Sequence, residues 1–310
     1  PEDRWQTARD LTRELKWIAG AGSQAEEPSS TGSRRKGRER VAWLTALALI
    51  AAVAVLGWRR AANVTPPRMP MQLSVQTTPG SIIDRFKGAQ LALSPDGVRI
   101  VAAEYEPAGN WHLAVRRFDH GQFVPIAGTD NAWWPFFSPD GDWLGFFADG
   151  KLKKIPIDGG APVTLCEVHG YALGASWGDD GTIVAAFNEG STGLVRVPSG
   201  GGAPTPLTQL STKDVEIRHA WPQVLPGSQE VLFTTYHTDP YQEGDITDGD
   251  VGVVVQKTGE RKPVHHGGFL SRYLPSGHLV YLRESTLWAV PFDLSRLAVT
   301  GEPQPGLEEV

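Results

Sequence analysis

The sequence predicts a mainly β protein: an incomplete β-propeller of about five four-stranded blades, preceded by a single transmembrane helix and a short N-terminal helix. Three observations carry this. A strand, tight turn, strand pattern recurs five times at spacings of 44, 40, 47 and 49 residues, the period of propeller blades. An uncharged apolar stretch occupies residues 41–58. With 35 glycines and 24 prolines among 310 residues, the composition suits many short strands joined by turns better than a helical protein.

Residues 1–19, PEDRWQTARDLTRELKWIA, read as one amphipathic helix. Thr7 followed by Asp10 makes a capping-box start with the shorter acid. Leu11, Leu15 and Ile18 share a face, and Gly20 and Gly22 end the helix. Residues 20–40 mix Gly, Ser, Pro and charge without apolar anchors, so they read as a flexible basic juxtamembrane linker suited to anionic headgroups. Gly20 to Ala25 match the letters G-x-G-x-x-A, but they follow a helix rather than a strand, which argues against a dinucleotide site.

The stretch 41–58, VAWLTALALIAAVAVLGW, has Thr45 as its one polar side chain. As a helix it would be about 27 Å long, close to the thickness of a bilayer's hydrocarbon core. A buried core helix would show a polar stripe, and none is visible. Arg34, Arg35, Lys36, Arg38 and Arg40 precede it while Arg59 and Arg60 alone follow, so the N-terminal side is expected in the cytoplasm. Trp43 and Trp58 stand at the two ends, where indoles favour the headgroup layer. Forty residues of charge-rich chain before it, and two arginines after it, argue against a cleaved signal peptide. The expected location is the inner (cytoplasmic) membrane, single-pass, with the rest of the chain outside. Ala42 with Ala46 and Ala48 with Ala52 offer small-residue spacing for a dimer through the span.

A proline-rich connector, 59–79, leads to the repeats at 80–310. The repeats read LALSPDGVRIVAA, PFFSPDGDWLGFF, ASWGDDGTIVAAF, QVLPGSQEVLFTT and RYLPSGHLVYLRE. Their turns align at Gly97, Gly141, Gly181, Ser228 and Gly277, which divides the region into blades of about 86–132, 133–173, 174–218, 219–269 and 270–310. Pro95, Pro139 and Pro275 preset φ at the first central position, Asp96, Asp140 and Asp180 suit the second, and Gly97, Gly141, Gly181 and Gly277 take the left-handed conformation. A third strand follows each pair (HLAVRR, KLKKIPI, GLVRVPS, VGVVVQK, TLWAVPF), and weaker segments such as PVTL or KPV complete the blades. The fourth copy departs, with Gly227 and Ser228 in place of Asp-Gly and an insertion, DPYQEGDITDGD.

Two resemblances follow from these residues. P-E-D-R-W-Q-T-A-R-D-L resembles the last helix of bacterial eukaryotic-like serine/threonine protein kinases, and Arg4 matches the arginine that such kinases pair with a buried glutamate. The Gly-rich loop, V-A-I-K, H-R-D and D-F-G motifs are not in this chain, so it holds none of the groups that bind ATP and Mg2+. The S-P-D-G repeats, with linkers such as KIPIDGGAP and RVPSGGGAP, resemble the TolB-like, WD-repeat-like propeller repeat, although no Trp-Asp dipeptide occurs. Together they resemble a receptor-like bacterial kinase. The resemblance implies a cytoplasmic kinase needing ATP and Mg2+, a span, and an extracytoplasmic sensor or scaffold propeller with a protein or peptide ligand. The start at Pro1 and the end within a fifth repeat suggest a fragment whose unpaired blade face would lower its solubility. The alternatives are a periplasmic TolB-like binding module without a kinase and the propeller cap of a prolyl-peptidase-like hydrolase.

Chemistry-bearing residues are few. Residues 1–40 carry nine basic and seven acidic side chains, Arg59 and Arg60 flank the span, and the net charge of −6 leaves −10 for residues 61–310. That excess argues against nucleic acid as a partner. Gly174 to Gly178 match G-x-S-x-G, but a turn and another strand follow where a nucleophile elbow needs a helix. His265 and His266 point to opposite faces of a strand, and Glu243, Asp245, Asp248 and Asp250 lack the calcium-loop spacing, so no metal is expected. Asn63-Val64-Thr65 is a glycosylation sequon by letters alone. Cys166 is the single cysteine, which rules out an internal disulfide and suits packing. Of the aromatic cluster, Trp111, Trp133 and Trp221 are the candidate partner-binding residues at the axial mouth.

Overall fold

The computed structural model describes residues 91–105, 109–119, 121–238 and 249–308. All of them fall in one compact unit, Ser74–Val310. The expected N-terminal helix, linker, span and connector, Arg4 included, lie outside the described residues. No helix among the described residues is long and apolar enough to cross a membrane.

The described chain forms five sheets, each an antiparallel meander in chain order. The first blade is β1 (Leu91–Leu93), β2 (Arg99–Tyr105), β3 (Trp111–Arg117) and β4 (Val124–Pro125). The second is β5 (Trp133–Phe137), β6 (Trp143–Ala148), β7 (Lys151–Pro156) and β8 (Val163–Glu167). The third is β9 (Ala172–Trp177), β10 (Thr182–Glu189), β11 (Thr192–Pro198) and β12 (Thr205–Pro206). The fourth is β13 (Arg218–Val224), β14 (Glu230–Tyr236), β15 (Gly249–Val255) and β16 (Arg261–His265). The fifth is β17 (Phe269–Leu274), β18 (His278–Arg283), β19 (Thr286–Asp293) and β20 (Ala298–Val299), with β21 (Gln304–Glu308) continuing along the same edge of β19.

The strand patterns follow from burial. Second strands are covered on both faces, so they read as unbroken apolar runs: Val101, Ala102 and Ala103 are fully buried, Ala102 against Ala114 and Phe123 of its own blade, as are Ile183 to Ala186 between neighbouring blades. The outermost strands are short and exposed, and Pro125, Pro206 and Pro263 stand in three of them, where a missing N–H blunts an open sheet edge. Apolar clusters join the first blade to the second, the second through to the fourth, and the fourth to the fifth. Among the described residues, no such cluster joins the fifth blade back to the first. Leu91, Leu93 and Leu274, on those two terminal blades, stay exposed.

Each first hairpin closes through the same hydrogen bond, from the last turn residue to the carbonyl three before it: Gly97 to Ser94, Gly141 to Ser138, Gly181 to Gly178, Ser228 to Leu225 and Gly277 to Leu274. The four glycines have φ between 70° and 79°. This is a type I turn ending in a left-handed residue, as the Pro-Asp-Gly order requires. Asp96 and Asp140 each accept the amide two residues on, and Ser94 and Ser138 donate to them. Those bonds hold both carboxyls below the usual range. In the fourth blade Gly227 has φ of 93° and Ser228 of 54°, so the left-handed step starts one residue early and glycine moves with it.

Gly141→Ala should therefore cost about 1 kcal/mol, because alanine is strained in the left-handed region while its methyl meets only ordinary contact with Pro95. Gly141→Asn should cost less. Urea denaturation of the three proteins checks the order, and equal midpoints would show that the turn does not need this conformation.

Candidate functional site

The innermost strands β1, β5, β9, β13 and β17 surround a cavity of about 570 Å3. All five hairpin turns contribute to its wall, through Pro95, Pro139, Asp179, Pro226 and Pro275 among others. Of the turn residues read from the sequence, Pro95, Pro139, Ser228 and Pro275 belong to this wall.

A second repeated feature shapes the wall. Trp134, Gly174, Trp221 and Leu270 have φ of 53°, 96°, 57° and 51°. Each stands seven positions before the left-handed turn residue of its own blade. There the inner strand carries an extra residue against its partner, so the ladder shifts register. A bulge of this kind re-aims the side chains that follow it. Two positions on, they reach towards the next blade. Ser176 Oγ accepts the Val224 N–H at 2.9 Å. Gln223 Oε1 accepts the Tyr273 N–H at 2.6 Å, and its Nε2 donates to the Tyr273 carbonyl at 3.2 Å.

The same position in the fifth blade is Arg272. A guanidinium can only donate. Its Nη1 donates to the carbonyls of Trp221 at 3.1 Å and Ser271 at 2.9 Å. The side chain keeps some exposure, at the cavity wall, yet burial brings its guanidinium down to about 10. Around it the wall includes Trp134, Phe136, Trp177 and Tyr273.

The three tryptophans singled out from the sequence are placed differently, and none lines this cavity. Trp111 starts β3, the third strand of its blade, with its ring 5.2 Å from that of Tyr105. Trp133 is half-buried against Trp134 and Phe147. Trp221 is only 5% exposed; its indole N–H donates to Tyr236 Oη at 3.0 Å, and its ring lies 4.4 Å from that of Trp134. The axial residues Trp134, Trp177 and Arg272 were missed. The available signal was the repeat alignment, in which one position reads Ala92, Phe136, Ser176, Gln223 and Arg272, with a single charge.

A separate polar cluster joins the third and fourth blades. Thr208 Oγ1 lies 2.7 Å from His219 Nδ1, His219 Nε2 lies 3.3 Å from Glu216 Oε2, and Arg261 Nη1 donates to Glu216 at 2.7 Å. Gly193 makes room for it, since a Cβ there would meet His219 and Thr208 at 2.2 and 2.5 Å. A hydroxyl, an imidazole and a carboxylate in line look like a catalytic relay, but Thr208 is buried and its oxygen already accepts the Leu194 N–H at 2.7 Å. The cluster is a lock between blades. Burial would raise the Glu216 carboxyl, yet bonds from His219, Arg261 and the Ser211 amide outweigh it and hold the group at about 2. Burial lowers His219 below its ordinary 6.5.

Other sequence candidates are quickly placed. Ser176 lies within β9 and leads to a turn, not to a helix. His265 stacks on Tyr281 at 4.5 Å while His266 faces solvent near Asp250, so the two diverge. Glu243, Asp245 and Asp248 lie outside the described residues. Among the described residues, no group of three or more His, Cys, Asp or Glu could hold a metal ion. Cys166 is buried, and desolvation raises its thiol to about 11, which makes it a packing residue.

Five four-stranded meanders around an axial cavity define a β-propeller. No protein-family model matches the sequence, and no curated protein does. Among solved structures the fold is similar to TolB from Acinetobacter baumannii, with a TM-score of 0.54 and 15% identity over 71% of this chain and 54% of that one. The chain thus spans about half the length of that TolB. A chain of a nidogen–laminin complex is similar at a TM-score of 0.50 and 10% identity, over 68% of this chain and 77% of that one. A prolyl endopeptidase structure matches at 0.46 with 15% identity, over 72% and 37%. The likeness to TolB establishes a TolB-like propeller fold.

Both lock residues titrate in the same direction. Glu216 contributes stability that is complete above its ordinary 4.5 and is lost as pH falls towards about 2. His219, neutral in the fold, adds a loss that begins as pH falls below 6.5. The melting temperature should therefore fall steadily on acidification from pH 6.5. Glu216→Gln should cost about 3 kcal/mol at pH 7 and flatten the dependence below pH 4.5. Thermal melts from pH 3 to 8 check this, and parallel curves for the two proteins would contradict it.

Proposed function

We propose that the propeller is an extracytoplasmic, noncatalytic sensor or scaffold that binds a protein or peptide at its axial cavity. A single span at 41–58 anchors it, and a serine/threonine kinase domain in the cytoplasm uses ATP and Mg2+. The cavity carries this reading: turns from all five blades ring it, and exposed proline with partly buried aromatic surface around one cation suits a peptide better than a reaction. The kinase connection rests on the residues around Arg4 and on the order helix, basic linker, span, propeller. Ligand binding outside would bias the association or orientation of the helices inside. An unlinked TolB-like binding module shares everything but the kinase. In the peptidase-cap alternative a catalytic domain with a true elbow would accompany the propeller.

Two measurements test the proposal. A reporter enzyme active only outside the cytoplasm, fused after Gly80, should be active in cells; an inactive, stably expressed fusion would overturn the orientation. Panning a displayed peptide library on the full detergent-solubilised chain should recover peptides that protect Trp177 and Tyr273 from chemical labelling. Recovery of none would sink the binding reading.

A further inference from the structure

From the geometry of Arg272 we infer that the axial cavity recognises a carboxylate, carried by an aromatic or aliphatic group such as the end of an apolar peptide. This deepens the proposed function and rests on the reading of the cavity as a binding site. Arg272 breaks the rule of its own register position. In the third and fourth blades that position supplies an oxygen, Ser176 Oγ or Gln223 Oε1, which accepts an amide of the next blade. Arginine has no acceptor to offer, so the position does not serve the interblade lock here.

The donor count then selects the ligand. Both hydrogens of Nη1 are taken by the Trp221 and Ser271 carbonyls. That leaves the edge formed by Nε and Nη2, with no partner among the described residues. This edge is one of those that fork onto the two oxygens of a carboxylate. No carboxylate of the described residues lies within ion-pair distance of it. A desolvated, unpaired charge is costly unless something compensates it. Asp179, at the turn of the third blade, also lines the cavity and disfavours a ligand of higher negative charge. The same cavity is lined by Trp134, Phe136, Trp177 and Tyr273, and about 570 Å3 of space holds a few residues of peptide. Trp134 Nε1, in the same wall, is buried without a hydrogen-bond partner among the described residues.

The test uses the full chain and two small probes that differ only at the charge, N-acetylphenylalanine and N-acetylphenylalaninamide, followed by tryptophan fluorescence. The acid should bind saturably and at least tenfold more tightly than the amide. Arg272→Gln should erase that difference while leaving any amide binding in place, and Arg272→Lys should keep part of it. Equal binding of acid and amide, or an acid preference that survives Arg272→Gln, would overturn the carboxylate assignment. So would failure of both probes to bind, or competition by inorganic phosphate as effective as that of the acid. If Arg272→Gln does not fold, the comparison of the two probes on the unaltered chain still decides. The outcome is separable from the broader reading: library peptides that bind without regard to their carboxylates leave the binding module standing and remove only this inference.

Discussion

A four-stranded meander with apolar side chains on both faces cannot be stable alone, and that constraint organises the whole described structure. Val101 and Ala103 of the first blade share a cluster with Leu144 and Phe146 of the second, and Leu232 and Val253 of the fourth share one with Leu279 and Val290 of the fifth. The hydrophobic effect supplies the attraction between blades but no direction. Register comes from the hydrogen bonds laid over it, Ser176 to Val224 and Gln223 to Tyr273 near the axis and the Thr208, His219, Glu216, Arg261 cluster farther out. Apolar burial brings the blades together and polar contacts fix how they meet.

The axis inherits its chemistry from two repeated departures from regular strand. The left-handed residue that closes each hairpin turns the chain sharply enough to bring five loops to one mouth. The bulge seven positions earlier rotates the inner strand, so the residues after it face a neighbouring blade or the cavity instead of alternating regularly. Once a scaffold of this kind exists, one substitution at a repeated position changes what the axis can do. An oxygen there ties two blades together, whereas a guanidinium leaves donors for something else. The sensor reading and the carboxylate inference both depend on this division between structural and variable positions within one repeat.

The repeats were the most legible part of the molecule. Pro95-Asp96-Gly97 and Pro139-Asp140-Gly141 state a turn type by composition, and the apolar runs after them state strands covered on both faces. Third strands such as KLKKIPI and GLVRVPS also emerged where they were expected, because local pattern and final environment agree there. The binding residues were not legible in the same way. Trp111, Trp133 and Trp221 were reasonable choices by type, since large aromatics mark contact surfaces, but type does not say on which strand of the blade a residue lies or whether a bulge turns it inward. Trp221 proved to be packing with a hydrogen-bonded indole, while Trp177 and Arg272 reached the axis.

What the sequence by itself determined is the unit: a hairpin closed by a left-handed residue, repeated every 40 to 49 positions, with strands too apolar to stand alone. These are short-range properties, set by φ preferences and by which faces must be buried, and they can be read within a dozen residues. Only the tertiary structure decided what lies at the centre. The cavity exists because five units converge, and the unpaired edge of Arg272 exists because Trp221 and Ser271 occupy the other nitrogen from across a blade boundary and from its own strand. Trp221 and Arg272 are 51 residues apart in the chain, so no local rule of spacing joins them.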